Sequence, residues 1–306
     1  MSTGPLVVSV PSASWARALG PLDGAEVVVW DGRGDAPDPG PVLVVPEYVA
    51  TPDLSRLPAA TRWVQLLTIG FDGVREQLPA GVALCNAAGV HETSTAELAV
   101  GLTVAALRGL DDDARRMATG TWGPSRRTSL ADRCVLVVGW GGVGRATAAR
   151  LAPFECSVTA VGTRARVQDG VPVHAVEELP ELLPRHDVVV LACPLTDRTR
   201  GLAGREFLAA LPDGALVVNV ARGPVVDTAA LVAELRTGRL RAALDVTDPE
   251  PLPAGHELWT LPGVLVTPHV GGNSTAFRPR MVALLREQVA RLVAGQEPRN
   301  VVSAAS

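Results

Sequence analysis

Val135-Leu-Val-Val-Gly-Trp-Gly-Gly-Val-Gly-Arg-Ala-Thr147 is an apolar run that breaks into closely spaced glycines and then into a helical pattern. Continuous rather than alternating apolarity is what a parallel strand covered on both faces requires. In Gly139-x-Gly141-x-x-Gly144 the first glycine permits a tight turn. The second lets the backbone approach a pyrophosphate, and the third lets the helix pack closely on the strand. Gly142 and Val143 complete the loop. The helix that begins there turns its N-terminal amides and positive dipole end toward the phosphates. The stretch reads as the first strand, turn and helix of a Rossmann dinucleotide-binding domain. Trp140 is bulkier than its position requires, and this reading gives it no role.

The same kind of apolar run recurs on both sides of this stretch. Strands are predicted at residues 6–10, 27–30, 42–45, 63–67 and 82–85, and again at 157–161, 187–191, 215–218, 242–245 and 264–267. Helical pattern lies between them, as at 143–151 and 228–236, so the architecture is doubly wound α/β. A long helix is predicted over 94–119 and a second over 275–294, with a loose tail or short return segment at 295–306. The length of 306 residues suggests two domains.

Composition narrows the class. A formal net charge of −4 carries no signal for nucleic acid. The longest apolar stretch, between Glu97 and Arg108, is too short to cross a membrane. The first ten residues do not read as a signal peptide. Cys85, Cys134, Cys156 and Cys193 lie far apart in or beside apolar runs, which suggests buried free thiols, no metal site and a cytoplasmic protein. The chain contains no Lys, so all 28 basic residues are Arg, and one Arg near a motif means correspondingly little.

A dinucleotide fold normally places an acid about 20 residues beyond the glycine loop, where it accepts from the adenosine ribose. Here the second strand ends in Gly162-Thr163-Arg164-Ala-Arg166, with no carboxylate. The 2′-hydroxyl of NAD loses its acceptor and a 2′-phosphate is not repelled. Thr163 can donate to that phosphate, and Arg164 or Arg166 can pair with it. NADP is therefore expected in preference to NAD.

Three more segments follow the ends of predicted strands, where open α/β sheets bind ligands. They are Val217-Val-Asn-Val-Ala-Arg222, Ala243-Leu-Asp245 through Glu250, and Val266-Thr-Pro-His269. A guanidinium can grip a 2-keto acid by its carboxylate and polarise its ketone. An imidazole can supply a proton near neutral pH, and a carboxylate beside it can orient it.

The chain resembles the D-isomer-specific 2-hydroxyacid dehydrogenases over almost its whole length. The resemblance is carried by Thr95-Ala-Glu97-Leu-Ala, Gly139-Trp-Gly-Gly-Val-Gly144, Cys193-Pro-Leu-Thr196-Asp-Arg-Thr199, Asn219-Val-Ala-Arg222-Gly, Asp245 to Glu250-Pro, and Thr267-Pro-His269. It implies that Arg222 binds the substrate, that His269 is the general acid/base and that Glu250 is its partner. It also implies that Asp245 contacts the nicotinamide amide, that Thr95, Cys193, Pro194 and Ala221 line the cofactor site, and that backbone donors at Ile69, Gly70 and Phe71 hold the substrate carboxylate. It further implies a flavodoxin-like substrate domain, discontinuous over residues 1–96 and 274–306, with the dinucleotide domain inserted at 97–273. A homodimer acting on a small 2-keto or 2-hydroxy acid is expected, as in glyoxylate and hydroxypyruvate reductases. Formate dehydrogenases of this superfamily carry Gln where Glu250 stands, and phosphite dehydrogenases carry Lys where Ile69 stands, so both activities are disfavoured. The alternative is a dinucleotide-sensing regulator, since the C-terminal-binding-protein corepressors resemble the same family.

Overall fold

The computed structural model describes residues 4–32, 34–48 and 53–303. The chain divides into two compact units, Met1–His91 with Thr275–Ser306, and Glu92–Ser274. The first unit opens with β1 (Leu6–Val10), α1 (Ala13–Leu19), β2 (Ala25–Val29), β3 (Leu43–Val44), β4 (Trp63–Gln65) and β5 (Ala83–Cys85). The second runs through α2 (Glu92–Arg108), α3 (Leu110–Met117), β6 (Cys134–Val138), α4 (Gly142–Leu151), β7 (Ser157–Gly162), β8 (Arg166–Gln168), β9 (Val171–Ala175) and α5 (Leu179–Leu182). It continues with β10 (Val188–Leu191), α6 (Arg205–Ala210), β11 (Leu216–Asn219), α7 (Thr228–Arg236), β12 (Arg241–Leu244) and β13 (Val264–Val266). The chain then returns to the first unit as α8 (Phe277–Val293) and β14 (Val301–Ser303).

The larger unit holds an eight-stranded sheet in the order β13-β12-β11-β10-β6-β7-β9-β8. Its inner strands bury alternate side chains on opposite faces. Leu136, Val138, Val189, Leu191 and Val217 enter one core, and Val135, Val137, Val188, Val190, Leu216 and Val218 enter the other. Helices cover both faces, which is why these strands are continuously apolar. Each fully buried Val or Leu contributes about 1.5–3 kcal/mol relative to exposure. Trp140 is buried in the second core, which Ala99 and Leu102 of α2 also enter, and its Nε1 has no hydrogen-bond partner among the described residues.

Register positions the site. Val138 pairs with Val161 and Leu191, Leu191 with Asn219, Asn219 with Leu244, and Leu244 with Val266. The residues that follow these partners therefore emerge along one edge. The strand order reverses at β6, so the glycine loop lies at the topological switch point.

The smaller unit holds a six-stranded sheet, ordered β14-β5-β4-β3-β1-β2. Both sheets depart from the all-parallel expectation at one edge, where β14 runs antiparallel to β5 and β8 antiparallel to β9. The tail thus returns as an edge strand. The expected helix over 94–119 is two helices. Gly109 breaks it with φ +62°, and a Cβ there would stand 2.5 Å from the Arg127 guanidinium carbon. Only Cys85 and Cys193 are buried, while Cys134 and Cys156 are half-buried, which corrects the expectation of four buried thiols. Among the described residues, no helix is long and apolar enough to cross a membrane.

Candidate active site

The dinucleotide loop is shaped by what its glycines lack. Gly139 leaves β6 at φ +108°, and a Cβ on it would stand 2.6 Å from the Ala192 carbonyl carbon. A Cβ on Gly144 would collide with the Gly139 carbonyl, so helix and strand could not approach as they do. Gly141 differs, because nothing lies within 4 Å of its Cβ direction. No protein contact demands glycine there, and the open side suits the close approach of a pyrophosphate. Val143 lies in the first turn of α4 and accepts through its carbonyl from Thr147 Oγ1 at 2.9 Å. The loop therefore fits a dinucleotide.

At the end of β7, Arg164 and Thr163 are exposed. Arg166 is held in place, with Nε and Nη2 donating to Gln168 Oε1 at 3.1 and 2.8 Å and Nη1 to the Arg164 carbonyl at 3.2 Å. Its Nη1 lies 2.7 Å from where a Cβ on Gly162 would be. A guanidinium thus stands over the position from which the usual ribose acid would project.

After β10, Cys193 is buried, and burial pushes its thiol up to about 11. It therefore stays protonated at neutral pH and makes no nucleophile. Pro194 is exposed, and its carbonyl accepts from Thr199 Oγ1 at 2.7 Å. Thr95, in the first turns of α2, lies beside Gly271, whose Cβ would stand 3.2 Å from Thr95 Cγ2.

A chain of hydrogen bonds ties the next three strand ends together. Buried Asn219 ends β11. Its Oδ1 accepts from Ala221 N at 3.0 Å, and its Nδ2 donates to the Arg222 carbonyl at 3.0 Å, which staples the turn that presents Arg222. Arg222 Nη1 donates to the Ala221 carbonyl at 2.7 Å. A Cβ on Gly223 would run into the Thr247 backbone, so this turn packs directly on the loop that follows β12.

Asp245 opens that loop and is 3% exposed. Its Oδ1 accepts from Thr267 Oγ1 at 2.7 Å and from Val270 N at 2.9 Å, and its Oδ2 from Gly271 N at 2.9 Å. Its carbonyl accepts from His269 N at 2.8 Å. These bonds hold His269 at φ +53°, a left-handed conformation that is uncommon away from glycine. His269 Nδ1 lies 2.5 Å from Glu250 Oε1, with both side chains partly exposed. Asp245 thus braces the histidine turn, a contact beyond the one the resemblance implied for it.

In the smaller unit, residues 66–70 follow β4. Their carbonyls accept in turn from Gln65 Nε2 (2.9 Å), His91 Nε2 (2.8 Å), Ala87 N (2.9 Å), Asn86 Nδ2 (2.8 Å) and Thr68 Oγ1 (2.7 Å). The amides of Ile69, Gly70 and Phe71 donate to no other described residue. The roles of Asn219, Asn86 and Thr68 are visible only in the folded chain; for Asn219 and Asn86 the sequence signal is a polar residue at the end of a buried strand.

The sequence profile of the D-isomer specific 2-hydroxyacid dehydrogenase NAD binding domain matches residues 100–271. The chain is similar to a glyoxylate reductase of Thermofilum pendens, with 32% identity over 78% of this chain and 74% of that one. It is also similar to the glyoxylate reductase/hydroxypyruvate reductase of Homo sapiens, with 30% identity over 87% and 88%. A D-isomer specific 2-hydroxyacid dehydrogenase from Xanthobacter autotrophicus Py2, solved with NADPH and MES, superposes with a TM-score of 0.83 at 31% identity, covering 98% of each chain. A Rossmann loop at the switch point, three loops joined along the same strand edge and likeness over nearly the whole length lead to one conclusion: this chain belongs to the D-isomer specific 2-hydroxyacid dehydrogenase family, whose enzymes use NAD or NADP.

Proposed function

We propose that this chain reduces a small 2-keto acid of the glyoxylate or hydroxypyruvate type to the D-2-hydroxy acid, with NADPH as the preferred cofactor. The observation that carries this reading is the 2.5 Å contact between His269 Nδ1 and Glu250 Oε1, on the strand edge that also bears Arg222. With Nδ1 turned to a carboxylate, the transferable proton of the imidazolium is the one on Nε2. Nε2 gives that proton to the ketone oxygen as negative charge develops there. Glu250 orients the ring. Arg222 offers a planar fork to the substrate carboxylate and ketone oxygen. The amides of Ile69, Gly70 and Phe71 supply further donors to the carboxylate. When bound, the nicotinamide supplies the hydride; Thr95, Cys193, Pro194, Ala221 and Asp245 would line its pocket, and Gly139, Gly141, Gly142, Val143 and Gly144 would hold the pyrophosphate. In this reading the unit Glu92–Ser274 carries the cofactor and the smaller unit carries the carboxylate loop. Assembly as a homodimer is supported by Leu110, Met117 and Trp122, which are 52%, 81% and 95% exposed on one stretch of the larger unit. The relatives' names support the substrate class. A panel of 2-keto acids assayed with both cofactors tests the reading, and failure to turn over any of them would sink it.

The cofactor preference rests on Arg166 standing over Gly162. One hydrogen bond to a charged group contributes about 1.5–3 kcal/mol, so a 2′-phosphate contact implies at least about a tenfold preference for NADPH. Gly162→Asp is expected to reverse much of it, because the new carboxylate accepts from the ribose diol and repels the phosphate. A Cβ there would meet Arg166 Nη1 at 2.7 Å and Val173 Cγ1 at 3.1 Å, so the guanidinium must give up its contacts with Gln168 and Arg164 and the valine must shift slightly. The check is kcat/KM for both cofactors at one fixed salt concentration. Equal use of NADH by the parent would mean that the arginine serves only its contacts with Gln168 and Arg164.

A further inference from the structure

The loop after β4 has an unusual distribution of partners. Every carbonyl from residue 66 to residue 70 is taken by a donor of the same unit, while the amides of Ile69, Gly70 and Phe71 donate to none of the described residues. A trans peptide is a rigid plane in which the carbonyl and the following amide point in opposite directions. Holding a carbonyl therefore aims the next residue's N–H. The Ala87 amide, by donating to the Thr68 carbonyl at 2.9 Å, aims the N–H of Ile69. Asn86 Nδ2, on the Ile69 carbonyl at 2.8 Å, aims the N–H of Gly70. Thr68 Oγ1, on the Gly70 carbonyl at 2.7 Å, aims the N–H of Phe71. One of these three bonds is backbone to backbone, and the other two depend on side chains.

Both side chains are committed to this task. Asn86 is 6% exposed, and its Oδ1 accepts from Ala88 N at 3.2 Å, so the amide is oriented with Nδ2 toward the loop. The Thr68 hydroxyl meets a carbonyl, which can only accept, so its hydrogen lies in that bond. Successive backbone amides left without a protein partner are the groups that bind an anion when they converge on it.

We propose that Thr68 and Asn86 are positioning residues, which aim the Phe71 and Gly70 amides at the substrate carboxylate by holding the Gly70 and Ile69 carbonyls. The inference rests on the reading, given above, that these amides bind that carboxylate. Neither side chain touches the substrate in this scheme. Their effect should appear in carboxylate binding and leave hydride and proton transfer nearly unaltered.

The test uses Thr68→Val, Thr68→Ser and Asn86→Asp, assayed with glyoxylate and NADPH and titrated with oxamate, a non-reacting analogue of a 2-keto acid. Thermal melting and NADPH affinity are measured alongside. Thr68→Val is expected to raise KM and the oxamate inhibition constant together, by about tenfold, the loss of one hydrogen bond to a charged group. The value of kcat should change less than about threefold, and NADPH affinity should hold. Thr68→Ser restores the hydroxyl and should return both constants toward the parent. Asn86→Asp puts an acceptor against the Ile69 carbonyl and should raise both constants further. Should Asn86→Asp fail to fold, the Thr68 pair decides alone. Unchanged constants in Thr68→Val, or a joint fall of kcat, NADPH affinity and melting temperature, would overturn the proposal. A parent that neither reduces a 2-keto acid nor binds oxamate would instead overturn the reading beneath it, and this inference with it.

Discussion

His269→Ala is expected to lower kcat for ketone reduction by about 10²–10⁴, the usual contribution of a general acid. The alanine variant keeps the strand edge and the glycine loop, so NADPH affinity should change little. The turn that carries His269 is held by backbone bonds to Asp245, not by the imidazole, so the fold should survive the truncation. Near-normal turnover would remove His269 from the mechanism. Glu250→Gln separates the pair's two parts. Glu250 Oε1 lies 2.5 Å from Nδ1 and fixes the ring's orientation, and a charged carboxylate accepts more strongly than its neutral amide. The variant should therefore lose about tenfold or more in kcat while NADPH affinity holds. Parent-like kcat in Glu250→Gln would sink the pairing.

Arg222→Lys is expected to lower kcat/KM by about 10², with both kcat and KM worse across several 2-keto acids. The substitution keeps the charge and discards the planar fork, so at a bidentate site at least one charge-assisted hydrogen bond is lost at about 1.5–3 kcal/mol. The Asn219 staple bonds the Ala221 amide and the Arg222 carbonyl, which are backbone groups, so the turn itself should keep its shape. The loss would then report on recognition. Parent-like kinetics in Arg222→Lys would place carboxylate recognition elsewhere.

Much of the architecture was legible because its signals are local. Val135-Leu-Val-Val138 announces a strand buried on both faces, Gly139 and Gly144 announce a turn that no other residue permits, and Gly141 leaves room for a pyrophosphate. The strands missed are the edge strand β8 and its neighbour β9, where Arg166, Gln168, Pro172 and His174 interrupt the apolar pattern. Helix periodicity across residues 94–119 hid a break, because a glycine is tolerable within a helix and periodicity does not reveal the left-handed φ of +62° that Gly109 adopts.

Local patterns specify a doubly wound α/β chain with a dinucleotide loop and the residues that follow each strand, because periodicity and glycine geometry act between near neighbours. The folded chain settled what those residues meet. It set Arg166 over Gly162, joined His269 to Glu250 across 19 positions, bound Asp245 to the turn 25 and 26 positions later, and clamped the 66–70 carbonyls with Asn86 and His91. Such contacts depend on strand register and loop closure across the sheet, and no short window of sequence carries a pattern for either.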